Sequence, residues 1–573
     1  MSMANRGRAA VLGLAALVGA TSALAATRVC AQVVERNLPP AMGPAVGEPS
    51  QEAVISREDP TPIGPPLSGV VLLGPSAPLT EKPVLGVDAS ALPRLDTDKG
   101  RRLLKLFLGR SLSSKLIAEI KVAITGYYRD EGYPFVAVQT PEQEITGGVL
   151  QLRIIEFSLG QVKIEGGKRT RPGHVAGLIR AVPGKPINGN DLEQDLDWLN
   201  RNPFRHVDTA FAPGQRQGDS DLRLRVTESR PWRAYGGYAN SGAPSSGRDR
   251  YFIGGRALLG QEALLSYQFT SDGDGLAKHP KYASQAARLF APIAPRQAFE
   301  ASFSRVESNS AVTDFEVRQK TTEVTLGYVG ALSNLVNMGG DLAAGVEVKR
   351  QKRDVFFGSI PVLSQPIDIY QLYAGWSDAA GDRLGRYDVD IAAHVSPGDL
   401  GASNSASAFR AYSGGRVTRA NYVYLQGAYD RSTRLGSPES GVSLITQVIV
   451  QISTQALPDS VRIGLGGSGL VRSYSLDDGA YDRGVVMRNE LRITALNHAF
   501  GPVAAGPFAF LDAGYGEDKA TDAKSKLVSV GLGLDAHAAN SFSLSATAGY
   551  ALRAAPATRS GDWRADVRLT AMF

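Results

Sequence analysis

Apolar and polar residues alternate strictly over most of the C-terminal half of the chain, in runs of about ten residues separated by Gly, Ser, Asp and Asn clusters. In the last run Trp563, Ala565, Val567, Leu569, Ala571 and Phe573 share one face, and Arg564, Asp566, Arg568 and Thr570 share the other. Val528, Val530, Leu532 and Leu534 alternate with Ser529, Gly531, Gly533 and Asp535, and Phe542, Leu544, Ala546, Ala548 and Tyr550 alternate with small polar partners. A soluble β-sandwich can alternate like this. Two features favour a membrane barrel: the chain ends on an aromatic, and the opposite face is small and polar, which suits a wet lumen. Lipid also demands a closed sheet without an edge. The pattern predicts a transmembrane antiparallel β-barrel over residues 231–573, and at about 20 residues per strand with its connection this is about 16 strands. Phe573, closing the lipid-facing row, is the predicted barrel-assembly signal.

Before Trp232 the period is different. Gly69-Val-Val-Leu-Leu73 reads as a strand, and Leu116, Ile117, Ile120, Ala123, Ile124 and Tyr127 keep the spacing of an amphipathic helix. Strands follow at Phe135–Val138 and Val149–Ile155. A second unit repeats the theme, with a strand at Gly160–Ile164, helices around Val175, Leu178, Ile179 and around Leu192, Leu196, Leu199, and a strand at Leu222–Val226. Asn190 with Glu193 three residues on predicts a capping box. Two α+β modules, 69–157 and 158–230, thus precede the barrel. Residues 32–68 read as a Pro-rich linker, carrying Pro39, Pro40, Pro44, Pro49, Pro60, Pro62, Pro65 and Pro66.

Residues 1–31 read as a secretory signal peptide: Arg6 and Arg8 open it, and Ala9 to Ala26 is a small, apolar run. Cleavage after Ala25 and cleavage after Ala31 both fit, and the second removes Cys30, the single cysteine of the 573 residues. The net charge is +6, and residues 1–31 hold three arginines and no acid, so removing them halves it. That is no nucleic-acid signature. Gly464-Leu-Gly-Gly-Ser-Gly469 matches a dinucleotide pattern, but no helix follows it, as that fingerprint requires. The six histidines are never within five positions of one another, and no nucleophile elbow or Walker lysine occurs. The reading is therefore a non-enzyme with no catalytic residues, no metal and no cofactor.

Gly132-Tyr133 leading into a strand, Pro141-Glu-Gln143 and Gly148-Val-Leu-Gln-Leu152 look like the end of a POTRA domain. Gly466-Gly-Ser-Gly-Leu-Val-Arg-Ser-Tyr474, then Asp482-Arg-Gly484 and Arg488-Asn-Glu-Leu491, is similar to a long, inward-folding sixth extracellular loop with a Val-Arg-Gly-Tyr tip. Phe510-Leu-Asp512-Ala-Gly514 matches a Phe-x-Asp motif on a later barrel strand. With these residues the chain resembles the two-partner secretion transporters of the outer membrane, the haemolysin secretion/activation protein family in the Omp85 superfamily. It departs from them at Ser473, where the family has glycine.

The resemblance implies POTRA domains in the periplasm and a translocase that exports a large secreted partner protein unfolded through the barrel (type Vb secretion). An Omp85-type factor that assembles other outer-membrane proteins is the alternative, and a substrate-specific porin a third. Implied partners are the exoprotein, outer-membrane lipid and the barrel-assembly machinery, with no nucleic acid, the protein itself being a monomer. The implied site is a loop near 465–484 with tip Val471, Arg472, Ser473 and Tyr474, meeting Phe510, Asp512 and Gly514 in the lumen. Strand parity independently puts Phe508, Phe510 and Asp512 opposite the lipid-facing Ala509, Leu511, Ala513 and Tyr515, and lines the lumen with Arg488, Glu490 and Arg492. Whether an Arg472–Asp512 pair gates the loop or only anchors it stays open at this point. So does a plug helix, for which Glu52 to Glu58 is the candidate segment. Lys163, Lys168, Arg169 and Arg171 form a basic cluster that either steers an acidic client or is a solvated loop.

Overall fold

A computed structural model describes residues 59–573, except 82–83, 146, 217, 276, 313–314, 337, 438–439 and 539–540. The predicted signal peptide, most of the predicted linker and the Glu52–Glu58 segment lie outside the described residues. The chain divides between Ser229 and Arg230 into two compact units.

In the N-terminal unit the first module is a four-stranded sheet in the order Gly86–Asp88, Gly69–Leu73, Val149–Glu156, Val136–Gln139. Gly69–Leu73 is buried throughout, as a continuous apolar run in mid-sheet should be. Leu116, Ile120 and Ile124 of the helix Ser114–Asp130 pack on Val70, Leu72, Leu150 and Leu152. A second helix, Asp98–Lys105, is capped by Thr97, whose hydroxyl accepts the Gly100 N–H at 3.1 Å.

The end of the predicted linker needs correction: Pro62–Pro66 is a strand paired with Ser111–Ser113, and Leu67 is buried in the first module's core. Proline is tolerated there because the ribbon has only two strands, leaving an outer edge where no N–H is needed.

The second module is a three-stranded sheet with Asp219–Glu228 between Ser158–Gly166 and Arg205–Pro213. Its helices are Pro172–Leu178 and Gly189–Leu199. The cap of the latter is Asn188, which accepts the Asp191 N–H at 3.2 Å, and not Asn190. The two-residue shift lets Ile187 and Leu192, either side of the cap, join one core as a hydrophobic staple.

The C-terminal unit is a closed barrel. Seventeen strand segments make sixteen staves, because Arg483–Ile493 and His498–Phe500 both pair with Val503–Glu517 and are one strand broken at Thr494–Leu496. The first strand, Trp232–Ala239, pairs with the last, Trp563–Met572, from Tyr235↔Met572 to Ala239↔Arg568. Outward positions are apolar and exposed, as at Leu511 (51%), whereas neighbouring Asp512 is fully buried on the inner face. The two longest connections, 397–421 and 454–482, follow the ninth and eleventh strands and so lie at the same end of the barrel.

Candidate functional site

Connection 454–482 turns back into the barrel as a hairpin. At its base Ile463–Gly464 pairs with Ala480–Tyr481. At its tip Leu465, Leu470, Val471 and Tyr474 are buried against Ile449, Val486 and Leu527, which alternate with lipid-facing neighbours and therefore face the lumen. Gly514 makes room for the tip: a Cβ there would sit 2.9 Å from Val471.

Arg472, 2% exposed, is the centre of the contact. Its Nε and Nη2 donate to Oδ2 and Oδ1 of Asp512, each at 2.7 Å, and its backbone N–H donates to Asp512 Oδ2 at 3.1 Å. A bidentate fork of this kind fixes direction as well as charge. Nη1 donates to Glu490 Oε1 at 2.7 Å, and the guanidinium lies 3.9 Å from the Phe510 ring centre. Arg492 in turn donates to Glu490 and Asp535, both at 2.7 Å, while Arg488 donates to Gln447 Oε1 at 3.1 Å and Gly469 O at 3.3 Å. Arg472 and Arg492 thus share Glu490, Asp512 and Asp535, which offsets the burial of those charges, and Arg488 stands 3.9 Å from Glu490.

Ser473 has φ = 75°, a left-handed conformation that a side chain resists. Its hydroxyl faces Gly549, where a Cβ would lie 2.1 Å away. The Tyr474 hydroxyl accepts the N–H groups of Val528 and Arg553 at 3.2 Å and lies 2.8 Å from Arg553 O, to which it donates. The small lumen face is therefore no uniformly wet wall here. A Cβ at Gly533 or Gly531 would collide with the Phe508 or Phe510 ring, so these glycines seat aromatic rings.

Sequence reasoning missed Asp478, and it named Asp482 within the loop motif without the contacts it makes. Asp478 accepts the Ser475 N–H (2.7 Å), the Ala557 N–H (2.7 Å) and the Thr558 hydroxyl (2.5 Å). Its signal was present as Ser475-Leu-Asp-Asp478, a capping-box spacing that the structure forms. Asp482 accepts from Leu457 N–H at 2.7 Å, Lys519 N–H at 2.6 Å and Arg416 at 3.1 Å. Arg416 is 66 residues from Asp482, and no local spacing announces it.

Phe573 lies at the closing seam: its side chain is 73% exposed, and its N–H donates to Ala234 O at 2.9 Å. In the second module Lys163 pairs with Asp221 at 2.8 Å, and the backbone N–H groups of Lys168, Arg169 and Thr170 converge on Glu228. Burial would raise the Glu228 carboxyl, but those donors, with the Thr170 contact foremost, hold it at about 2. Much of the basic cluster is thus engaged within its own module.

Residues 218–536 match the family model for haemolysin secretion/activation proteins ShlB/FhaC/HecB, and residues 83–156 match the ShlB-type POTRA domain. The outer membrane transporter CdiB of Escherichia coli O6:K15:H31 (strain 536 / UPEC) is 28% identical over 172 residues, spanning 29% of each chain. That of Dickeya dadantii is 25% identical over 394 residues, 67% of each chain. The solved structure of CdiB from Escherichia coli superposes with a TM-score of 0.68 at 19% identity, covering 92% of this chain and 94% of the other, and so shares the fold.

Proposed function

Since the chain belongs to the haemolysin secretion/activation family, we propose that it is an outer-membrane translocase that moves a secreted partner protein, unfolded, from periplasm to cell surface through the barrel. The observation that carries this reading is a closed sixteen-strand barrel with a loop folded into its lumen and held there on Arg472, in a chain whose N-terminal unit holds two small α+β modules. The modules stand on the periplasmic side, where they meet the client first. An open sheet edge such as Arg205–Pro213 offers backbone groups to an extended segment. The direction of transport is supplied by the client, which folds outside and leaves the equilibrium. Arg472, Ser473, Tyr474 and Val471 form the loop tip, Phe510, Asp512 and Gly514 its seat, and Arg488, Glu490 and Arg492 the lining beside it. Phe573 is the feature the barrel-assembly machinery reads, lipid is the solvent of the outer face, and the protein works as a monomer without a catalytic step.

The test is to express the protein with the secreted protein encoded beside it. The partner should reach the medium only when the transporter is present, and deleting the transporter should leave the amounts of other outer-membrane barrels unchanged. A general fall in those barrels would identify an assembly factor instead. Liposome swelling unaffected by the partner would identify a porin.

A further inference from the structure

The loop at 397–421 also folds inward, and it meets the loop at 454–482. Its helix Ala406–Tyr412 is capped by Ser405, which accepts the Ala408 N–H at 3.2 Å. Phe409 and Tyr412 of that helix are buried with Ile367 and Ile369. On that strand Leu372 faces lipid, so the odd-numbered Ile367 and Ile369 face the lumen, and the helix sits inside the mouth of the barrel. Leu457 and Val461 of the other loop complete the same apolar cluster.

Around that cluster three arginines and three aspartates close a charged joint. Arg416, from loop 397–421, donates through Nη1 to Asp482 Oδ1 at 3.1 Å and through Nη2 to Asp459 Oδ1 at 3.2 Å and to Leu457 O. Arg353 donates to Asp459 Oδ2 at 2.9 Å and to Tyr412 O at 3.2 Å. Arg462 donates to Asp518 Oδ2 at 2.5 Å. Arg353 reaches both loops from the barrel wall, and Arg416 is the cation that loop 397–421 itself places on the carboxylates of the other loop. Its side chain is 15% exposed, against 2% for Arg472. A joint that water reaches is weaker and more sensitive to salt than a dry one.

We propose that Arg416 is a positioning residue for transport: it holds loop 397–421 across the exit through Asp482 and Asp459, and the exit opens at this joint while the Arg472 tip stays seated on Asp512. The proposal rests on the translocase reading but is tested without the partner. In planar bilayers with potassium chloride as the probe, the full chain should show rare openings whose probability rises with salt. Arg416→Ala should raise the open probability at low salt about tenfold, the scale of one partly hydrated ion-pair cluster, and should weaken its salt dependence, the Arg353–Asp459 pair supplying what is left. Arg416→Lys should fall between the two, and heat-modifiable migration should stay intact in both.

In a chain with Cys30→Ser, Arg416→Ala, Arg472→Cys and Asp512→Cys, a short bis-methanethiosulfonate bridge between the two thiols should leave the openings in place. Wild-type open probability in folded Arg416→Ala, or closure of the channel by that bridge, overturns the proposal. Failure of the translocase reading shows elsewhere, as a partner that the wild-type protein does not export.

Discussion

Arg472 binds two carboxylates, so the two ends of its ion pair are not equivalent. Arg472→Ala strips Asp512 of its fork and Glu490 of one donor, leaving a fully buried carboxylate without that partner, at a cost of about 3–5 kcal/mol. Asp512→Ala leaves the guanidinium on Glu490 and over Phe510, and so costs less. In a double-mutant cycle read by secretion and by protease cleavage of the loop in intact cells, the double alanine variant should be no worse than Arg472→Ala, because both act through one contact. Strictly additive defects would sever the two residues in function. Ser473 offers the opposite test: its φ of 75° makes Ser473→Gly a relief of about 1 kcal/mol. The substitution should raise the temperature at which the folded barrel loses its fast electrophoretic migration, while Ser473→Val should lower it.

The terminal strand illustrates how an element carries information beyond its contacts. Phe573 is 73% exposed at the seam, so Phe573→Ser should reduce the amount of barrel in the outer membrane and leave secretion per surviving molecule unchanged. An unchanged amount with weaker secretion per molecule would refute this. Elements of strict period were readable from sequence: the alternating strands near the C-terminus, and the helix Ser114–Asp130 with its apolar stripe. Helix Asp98–Lys105 was not, since Leu103 and Leu104 are its only large apolar residues and its stability comes from Thr97 and from packing against residues distant in the chain. Strand Pro62–Pro66 was hidden by its composition. Parity places Arg488, Glu490, Arg492 and Asp512 on the lumen face, but cannot tell a wet glycine from one that seats a ring. Gly531 and Gly533 belong to the second kind, and their partners lie on the neighbouring strand.

At the scale of the molecule, the chain divides where the helical period stops. Each unit has cores of its own, the first around Val70, Leu150 and Ile120 and around Ile187, Leu192 and Leu224, and the barrel around its inward loops. Removal of residues 59–229 should therefore leave a folded, heat-modifiable barrel that no longer exports the partner, and retained export would remove client recognition from the modules. The seam of the barrel bears on how the protein comes into being. Backbone contacts there join positions such as Asn240, whose N–H donates to Val567 O, 327 residues apart, while every other stave pairs with a neighbour in sequence. Until the last strand is released from the ribosome and delivered, the sheet has two raw edges of unpaired N–H and C=O groups, each a template for aggregation. Closing so long a circuit is entropically unfavourable and slow. Seam pairing is therefore the contact of the barrel that is hardest to nucleate, and both edge strands need cover until it forms.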